Sequence, residues 1–183
     1  QVDLKNGLID DEAVVKAIND KTRLVFIQRS RGYEWRPALT INEIERVTKL
    51  VKSVKPDVLV MVDNCYGEFV EDREPTEVGV DIMAGSLIKN PGGGIVPSGG
   101  YIAGKKDLVE KISYRMTLPG LGREVGATLG NNRLMFQGFF LAPHVVAESL
   151  KGAVFTAQIM QDIGFTTHPG PFDPRCDIIQ AIR

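Results

Sequence analysis

The sequence predicts an α/β fold, a mixed and mostly parallel sheet flanked by helices, and three observations carry that prediction. Residues 23–28, an apolar run bounded by Arg23 and Gln28, and the apolar residues 58–62 have the pattern of strands that helices cover on both sheet faces. Between them lies an amphipathic helical pattern, so strand, helix and strand follow one another over about 40 residues. That order is a βαβ unit, which implies a right-handed crossover and parallel strands. Residues 82–87 and 99–104 are also strand-like but lie only about ten residues apart, most of these Gly, Pro or Ser. A parallel crossover needs a dozen or more, so this pair predicts an antiparallel return.

Taken in order, residues 1–4 read as a strand entered midway. Residues 10–20 place apolar side chains at 13, 14, 17 and 18, a helical spacing with acidic residues in its first turn. The strand at 23–28 leads into a loop, residues 29–37, that carries three arginines, a tyrosine and the only tryptophan. Thr40 and Glu43 then form a T-x-x-E capping box. The helix behind it sets Ile41, Ile44, Val47, Leu50, Val51 and Val54 on one face, and Pro56 ends it. After the strands at 58–62, 82–87 and 99–104 the pattern turns helical, over residues 105–116, 131–141 and 142–163, the last beginning at Pro143. A glycine-rich loop at 117–130 holds Arg123. Residues 168–171 are a turn cluster, and residues 177–182 read as a strand that opens a second domain. The expected division is therefore 1–142 for the sheet domain and 143–183 for a linker helix and the start of a smaller one. Both ends read as cut from a longer chain.

Composition narrows the function classes. The 183 residues are 43% apolar and 25% charged with a formal net charge of −1, which gives no bulk electrostatic case for nucleic acid or an anionic membrane. No apolar run approaches the roughly 18–20 residues of a membrane span. Two cysteines and two histidines are too few for a disulfide framework or a histidine-rich metal centre, and they point to a reducing cytosol.

The chemistry concentrates where strands end. In α/β proteins ligands collect beyond the carboxyl ends of parallel strands. The strand at 58–62 runs into Asp63-Asn64-Cys65-Tyr66, and that at 82–87 into Lys89 and Gly92-Gly93-Gly94. Either residue alone has a bland reading, Asp63 as a turn or cap residue and Lys89 as a solvated strand terminus. Together they could face one small ligand, and pyridoxal 5'-phosphate needs both parts. A carboxylate keeps its pyridine nitrogen protonated, and a lysine in a partly desolvated place holds its aldehyde. The rim of a buried sheet offers Lys89 such a place.

Three stretches make the reading specific: IQRSRGYEWRP, VDNCYGEF and GSLIKNPGGGIVPSGGYIAG. They resemble the bacterial aluminium-resistance protein family, fold-type I pyridoxal-phosphate enzymes related to cystathionine β-lyase and methionine γ-lyase. The resemblance runs over nearly the whole chain. It implies Lys89 as the Schiff-base lysine, Asp63 as the partner of the pyridine nitrogen, and Ser86 as a phosphate contact. Ile88 stands where the related lyases often have a threonine, so one phosphate contact is missing. Tyr66 resembles the aminotransferase tyrosine that hydrogen-bonds the ring hydroxyl, or it packs at the sheet edge. Cys65 falls where relatives place a small residue against the ring, and Gln28 where they put a polar residue near the ring hydroxyl.

Other residues stay open at this level. Arg29 and Arg31 could bind phosphate or a substrate carboxylate, or be solvated loop residues. The glycine run suits a tight return better than a phosphate cradle. Glu68, Glu71, Asp72 and Glu74 read as a solvated acidic loop. The expected activity is a lyase that eliminates sulfur at the β- or γ-position of an amino acid, in the cytoplasm. The rivals are an aminotransferase or decarboxylase on the same cofactor, and a stress-response or binding protein without turnover. The resemblance also implies a homodimer or homotetramer, and the few histidines and cysteines point away from a metal.

Overall fold

The computed structural model describes residues 1–5, 7–116, 119–124, 126 and 130–183. Strands β1 (Leu4–Lys5) and β2 (Leu8–Ile9) pair antiparallel and lead into helix α1 (Asp11–Ala17). The Asp10 side chain caps α1 by accepting the Ala13 N–H at 3.1 Å. The helix is shorter than the expected 10–20, because Ile18 is already extended and closes it.

Next come β3 (Leu24–Gln28), α2 (Ile41–Val54) and β4 (Leu59–Asp63), the βαβ unit. Thr40 Oγ1 accepts the Glu43 N–H at 3.2 Å, one half of the capping box. The Glu43 carboxylate turns instead to Arg46 and the Ile9 N–H. Strands β5 (Ile82–Ser86) and β6 (Gly100–Gly104) complete a sheet of order β3-β4-β5-β6, parallel up to β5 and antiparallel at β6. The mixed α/β sheet is as the sequence predicts. In register, Gln28 lies beside Asp63, and Asp63 beside Ala84.

One sheet face and α2 make the core. Ile27, Val60 and Val62 are buried against Ile41, Ile44, Val47 and Val51, with Val14 of α1 at the margin. Each such side chain contributes roughly 1.5–3 kcal/mol on burial, so the strand ends that follow are held on a stiff base. The opposite face departs from expectation. Leu24 and Phe26 are 45% and 55% exposed, because β3 is an edge strand and nothing among the described residues covers that corner.

Helix α3 (Lys106–Met116) matches the expected span. The expected glycine-rich loop falls partly on residues 117, 118, 125 and 127–129, outside the described residues. Two helices were expected around Pro143; the structure has one, α4 (Asn132–Asp162), with the proline inside it. An internal proline costs roughly 3 kcal/mol. Burial of Gly138, Ala142, Val146, Ala153 and Ala157 along one side offsets it. The boundary expected after residue 142 thus falls within a continuous helix. Strands β7 (Thr167–His168) and β8 (Ala181–Ile182) pair antiparallel beyond it. No described helix is long and apolar enough to cross a membrane.

Candidate active site

The carboxyl ends of β3, β4 and β5 open onto a cavity of about 480 Å³, a size suited to a small ligand. Its wall includes Gln28, Asp63, Cys65, Tyr66 and Lys89, five of the six residues singled out from the sequence, together with Arg31, Tyr33 and Arg36. The sixth, Ser86, does not line it. Ser86 shapes the turn that delivers Lys89: its Oγ accepts the Ile88 N–H and its carbonyl the Lys89 N–H, both at 3.3 Å.

Asp63 accepts the Cys65 N–H at 3.1 Å through Oδ1. Tyr66 has φ 71°, a left-handed conformation unusual for a bulky residue and a common mark of a functional turn. Its carbonyl accepts the Ile178 N–H at 3.2 Å, which ties the turn to the distal segment. The Lys89 ammonium lies over the Tyr66 ring, 4.3 Å from its centroid.

The titration of Lys89 differs from the expected desolvated amine. Burial pulls its pKa down, but Cys65, Tyr66 and Asp63 favour the ammonium, and the net direction is upward. Burial first, and Asp63 second, push the Cys65 thiol above its ordinary value. Cys65 is therefore a protonated thiol at neutral pH, which fits packing rather than redox sensing.

Beneath the cavity lies a buried polar network the sequence did not disclose. Arg29, neither solvated nor free for an anion, is fully buried. Its Nη1 donates to Asn64 Oδ1 and its Nη2 to Glu71 Oε2, both at 2.7 Å, and Glu74 lies 3.6 Å away. Glu71 also accepts the Ile41 N–H at 3.0 Å, at the amino end of α2. Glu68, Glu71 and Glu74 are thus turned inward and not solvated as expected, and of the four only Asp72 is exposed. Glu68 is 4% exposed. It accepts the Tyr101 hydroxyl at 2.8 Å, and its carbonyl accepts Asn90 Nδ2 at 3.0 Å. Burial drives the Glu68 carboxyl up to about 7. The available signals were small: an asparagine directly after both Asp63 and Lys89, and acidic residues at three-residue spacing near an arginine pair.

The glycine run is a packing surface as well as a return. A Cβ on Gly138 of α4 would meet the Gly92 carbonyl at 2.3 Å, and one on Gly93 would meet the Gly138 carbonyl at 2.4 Å. Helix α4 therefore rests directly on the turn that follows Lys89. The distal segment closes the other side. Ser30 Oγ donates to Asp177 Oδ2 at 2.9 Å, and Arg31 donates to the carbonyl and Nδ1 of His168. Arg123 and His144 are exposed and outside the cavity wall. No group of metal-ligating side chains occurs among the described residues.

A family model described as methionine gamma-lyase matches residues 1–183. The uncharacterized protein YnbB of Bacillus subtilis is 56% identical over 183 residues, all of this chain and 44% of that protein. A Listeria monocytogenes structure, described provisionally as a cystathionine beta-lyase involved in aluminium resistance, is 54% identical with a TM-score of 0.94. It is matched over 98% of this chain and 44% of its own. A carbon-sulfur lyase involved in aluminium resistance from Clostridium novyi is 50% identical with a TM-score of 0.93, over 100% of this chain and 44% of its own. The chain thus spans less than half the length of these relatives.

Proposed function

The chain belongs to the methionine gamma-lyase family, and from that premise we propose that the whole protein is a pyridoxal-phosphate-dependent carbon–sulfur lyase acting on an amino acid. The observation that carries this reading is the convergence of Asp63, Lys89 and Tyr66 on one cavity at the strand ends. The donor set fits the cofactor: an amine for its aldehyde, a carboxylate for its ring nitrogen and an aromatic hydroxyl at the edge. When bound, the cofactor supplies an electron-accepting ring that spreads negative charge from the substrate's α-carbon.

The chain's own part is to hold groups in place and move one proton. Asp63, at the stiff end of β4, would keep the ring nitrogen charged. Lys89 would anchor the cofactor, and its Nζ is the base placed to take and return the substrate's α-proton. The Tyr66 ring limits where that Nζ can go, at 4.3 Å. Gln28 and Cys65 line the wall, and Ser86 holds the Lys89 turn. In the whole protein, residues 1–142 would belong to the cofactor-binding domain and residues 143–183 would lead into a smaller one. Assembly into a homodimer or homotetramer is part of the same reading, and analytical ultracentrifugation checks it.

The test uses full-length protein. Cofactor uptake should give a visible absorbance band, borohydride reduction should fix the cofactor on the Lys89 peptide, and Lys89→Ala should lose both. A wild type that stays colourless sinks the reading. Scanning amino acids then identifies the reaction. Pyruvate or 2-oxobutyrate released with ammonia is elimination, and amino transfer to a keto acid is the aminotransferase rival. A bound band that no amino acid perturbs is the binding-protein rival.

A further inference from the structure

Two buried arginines stand two residues apart on the loop after β3, and their partners differ. Arg29 is matched by Glu71 at 2.7 Å and Glu74 at 3.6 Å. Arg31 is 2% exposed and has no carboxylate at ion-pair distance among the described residues. Its two terminal nitrogens donate to the carbonyl and Nδ1 of His168. A guanidinium only donates, so that Nδ1 is the acceptor of a neutral imidazole. The Arg31 Nε is buried with no hydrogen-bond partner among the described residues.

Burying a cation without a counter-charge is costly, and an unmatched donor adds to the cost. The surroundings offset the charge only in part. Asp177 is the main counter-charge that Arg31 feels, yet the two form no ion-pair contact, and the Asp177 oxygens accept from Ser30 Oγ at 2.9 Å and the Ile179 N–H at 3.0 Å. Arg36 and Arg175 add positive charge nearby, and Arg36 is paired to the exposed Glu34 at 3.4 Å. Arg31 sits in the wall of the same 480 Å³ cavity as Asp63 and Lys89. Each terminal nitrogen has a second N–H beyond the one given to His168, so the guanidinium keeps donors with which to hold an anion in that concave wall.

We propose that Arg31 is the anion-binding residue of this cavity, taking a carboxylate or a phosphate oxygen pair, with His168 as the positioning residue that holds the guanidinium. Two sources can supply that chemistry, the α-carboxylate of an amino-acid substrate and the phosphate of the cofactor. Only the choice of source rests on the proposed function. The direction of the Arg31 shift agrees with the geometry: burial holds its pKa below the ordinary guanidinium value.

The experiment compares full-length wild type, Arg31→Gln and Arg31→Lys. Cofactor-free protein is titrated with pyridoxal phosphate, pyridoxal, inorganic phosphate and propionate, and pyridoxal-phosphate-loaded protein with propionate. A charge-assisted contact predicts a roughly ten- to hundredfold loss in Arg31→Gln, with partial rescue in Arg31→Lys. Loss of the preference for pyridoxal phosphate over pyridoxal assigns the phosphate. Loss of propionate binding to the loaded protein assigns the substrate carboxylate. Arg31→Gln that binds every probe as wild type does overturns the proposal. Should Arg31→Gln not fold, as judged by circular dichroism, wild type and Arg31→Lys decide. Propionate or phosphate must then raise the melting temperature of cofactor-free wild type, and raise that of Arg31→Lys less; no rise overturns the assignment. A wild type that takes up no pyridoxal phosphate counts against the proposed function alone, because the phosphate and propionate titrations of cofactor-free protein still decide the role of Arg31.

Discussion

The two ends of the central sheet handle buried charge in opposite ways. At the amino end, Asp81 is fully buried and ion-paired to a lysine on each oxygen. It takes Lys52 Nζ at 2.6 Å and the Val60 N–H at 2.7 Å on one oxygen, and Lys105 at 2.6 Å on the other. Burial alone would raise its pKa; the two lysines and the amide outweigh burial and hold it below the ordinary carboxylate value. At the carboxyl end, Glu68 Oε2, Arg31 Nε and Asn90 Oδ1 are buried without hydrogen-bond partners among the described residues. Native proteins leave few such atoms. The matched end ties strands together, and the unmatched end stands next to the cavity. The buried charge that ties the strands and the cavity with its candidate residues thus lie at opposite edges of one sheet.

Removing Asp81 should break the matched end hardest. Asp81→Ala leaves the buried Val60 N–H and the part-buried Lys52 without their acceptor, and stranding such hydrogen-bonded groups costs about 1–3 kcal/mol each. The drop should appear in urea unfolding of full-length protein, while cofactor uptake per folded molecule stays at the wild-type level. Loss of uptake along with stability would mean that the two ends are not independent. The pH dependence has a definite sign. A carboxylate with a depressed folded pKa stabilises above its unfolded value of 3.8, and the contribution is lost as pH falls below it.

Glu68 should show the reverse sign at the unmatched end. Its folded pKa of about 7 lies above the reference of 4.5. The native state therefore binds the extra proton, and stability is full below 4.5 and falls as pH rises towards 7. The shift corresponds to roughly 3 kcal/mol across that window. His168 opposes it: burial, then Arg31, lower its pKa, so its neutral form favours folding and stability rises with pH below 6.5. Glu68→Gln removes one slope and leaves the other. Urea midpoints across this range should decline less with pH in the variant than in wild type. Identical pH profiles for the two proteins would refute a titrating Glu68.

Much of this was legible in the chain and some of it was not, for physical reasons. Local patterns carried α2, whose apolar spacing put Ile41, Ile44, Val47 and Val51 in the core. Strand ends carried Asp63 and Lys89, because residues that close parallel strands face one another whatever the loops do. The polar network was hidden, since each charge there finds its partner far along the chain. Arg29 meets Glu71 at a separation of 42 residues, and Arg31 meets His168 at 137. A list of arginines and acids does not say which pairs will meet, so a buried pair and a solvated loop read alike. Pro143 misled differently. Propensity favours a break there, and packing of small residues along α4 overrode it.

The smallest predicted effect probes whether packing, and not charge, joins the two ends. In α4, Gly138 and Gly152 are both helical glycines, and intrinsic propensity alone would have alanine stabilise each by about 1 kcal/mol. Their surroundings separate them. A Cβ at 138 would lie 2.3 Å from the Gly92 carbonyl, a backbone atom of the turn behind Lys89, whereas one at 152 meets nothing within 4 Å. Gly138→Ala must push α4 off that turn, at the roughly 1–3 kcal/mol typical of overpacking, and should weaken cofactor uptake by displacing Lys89. Gly152→Ala should raise the melting temperature and leave uptake alone. If both alanines stabilise and both proteins hold cofactor equally, α4 does not bear on the site, and the carboxyl end is set by its buried polar network alone.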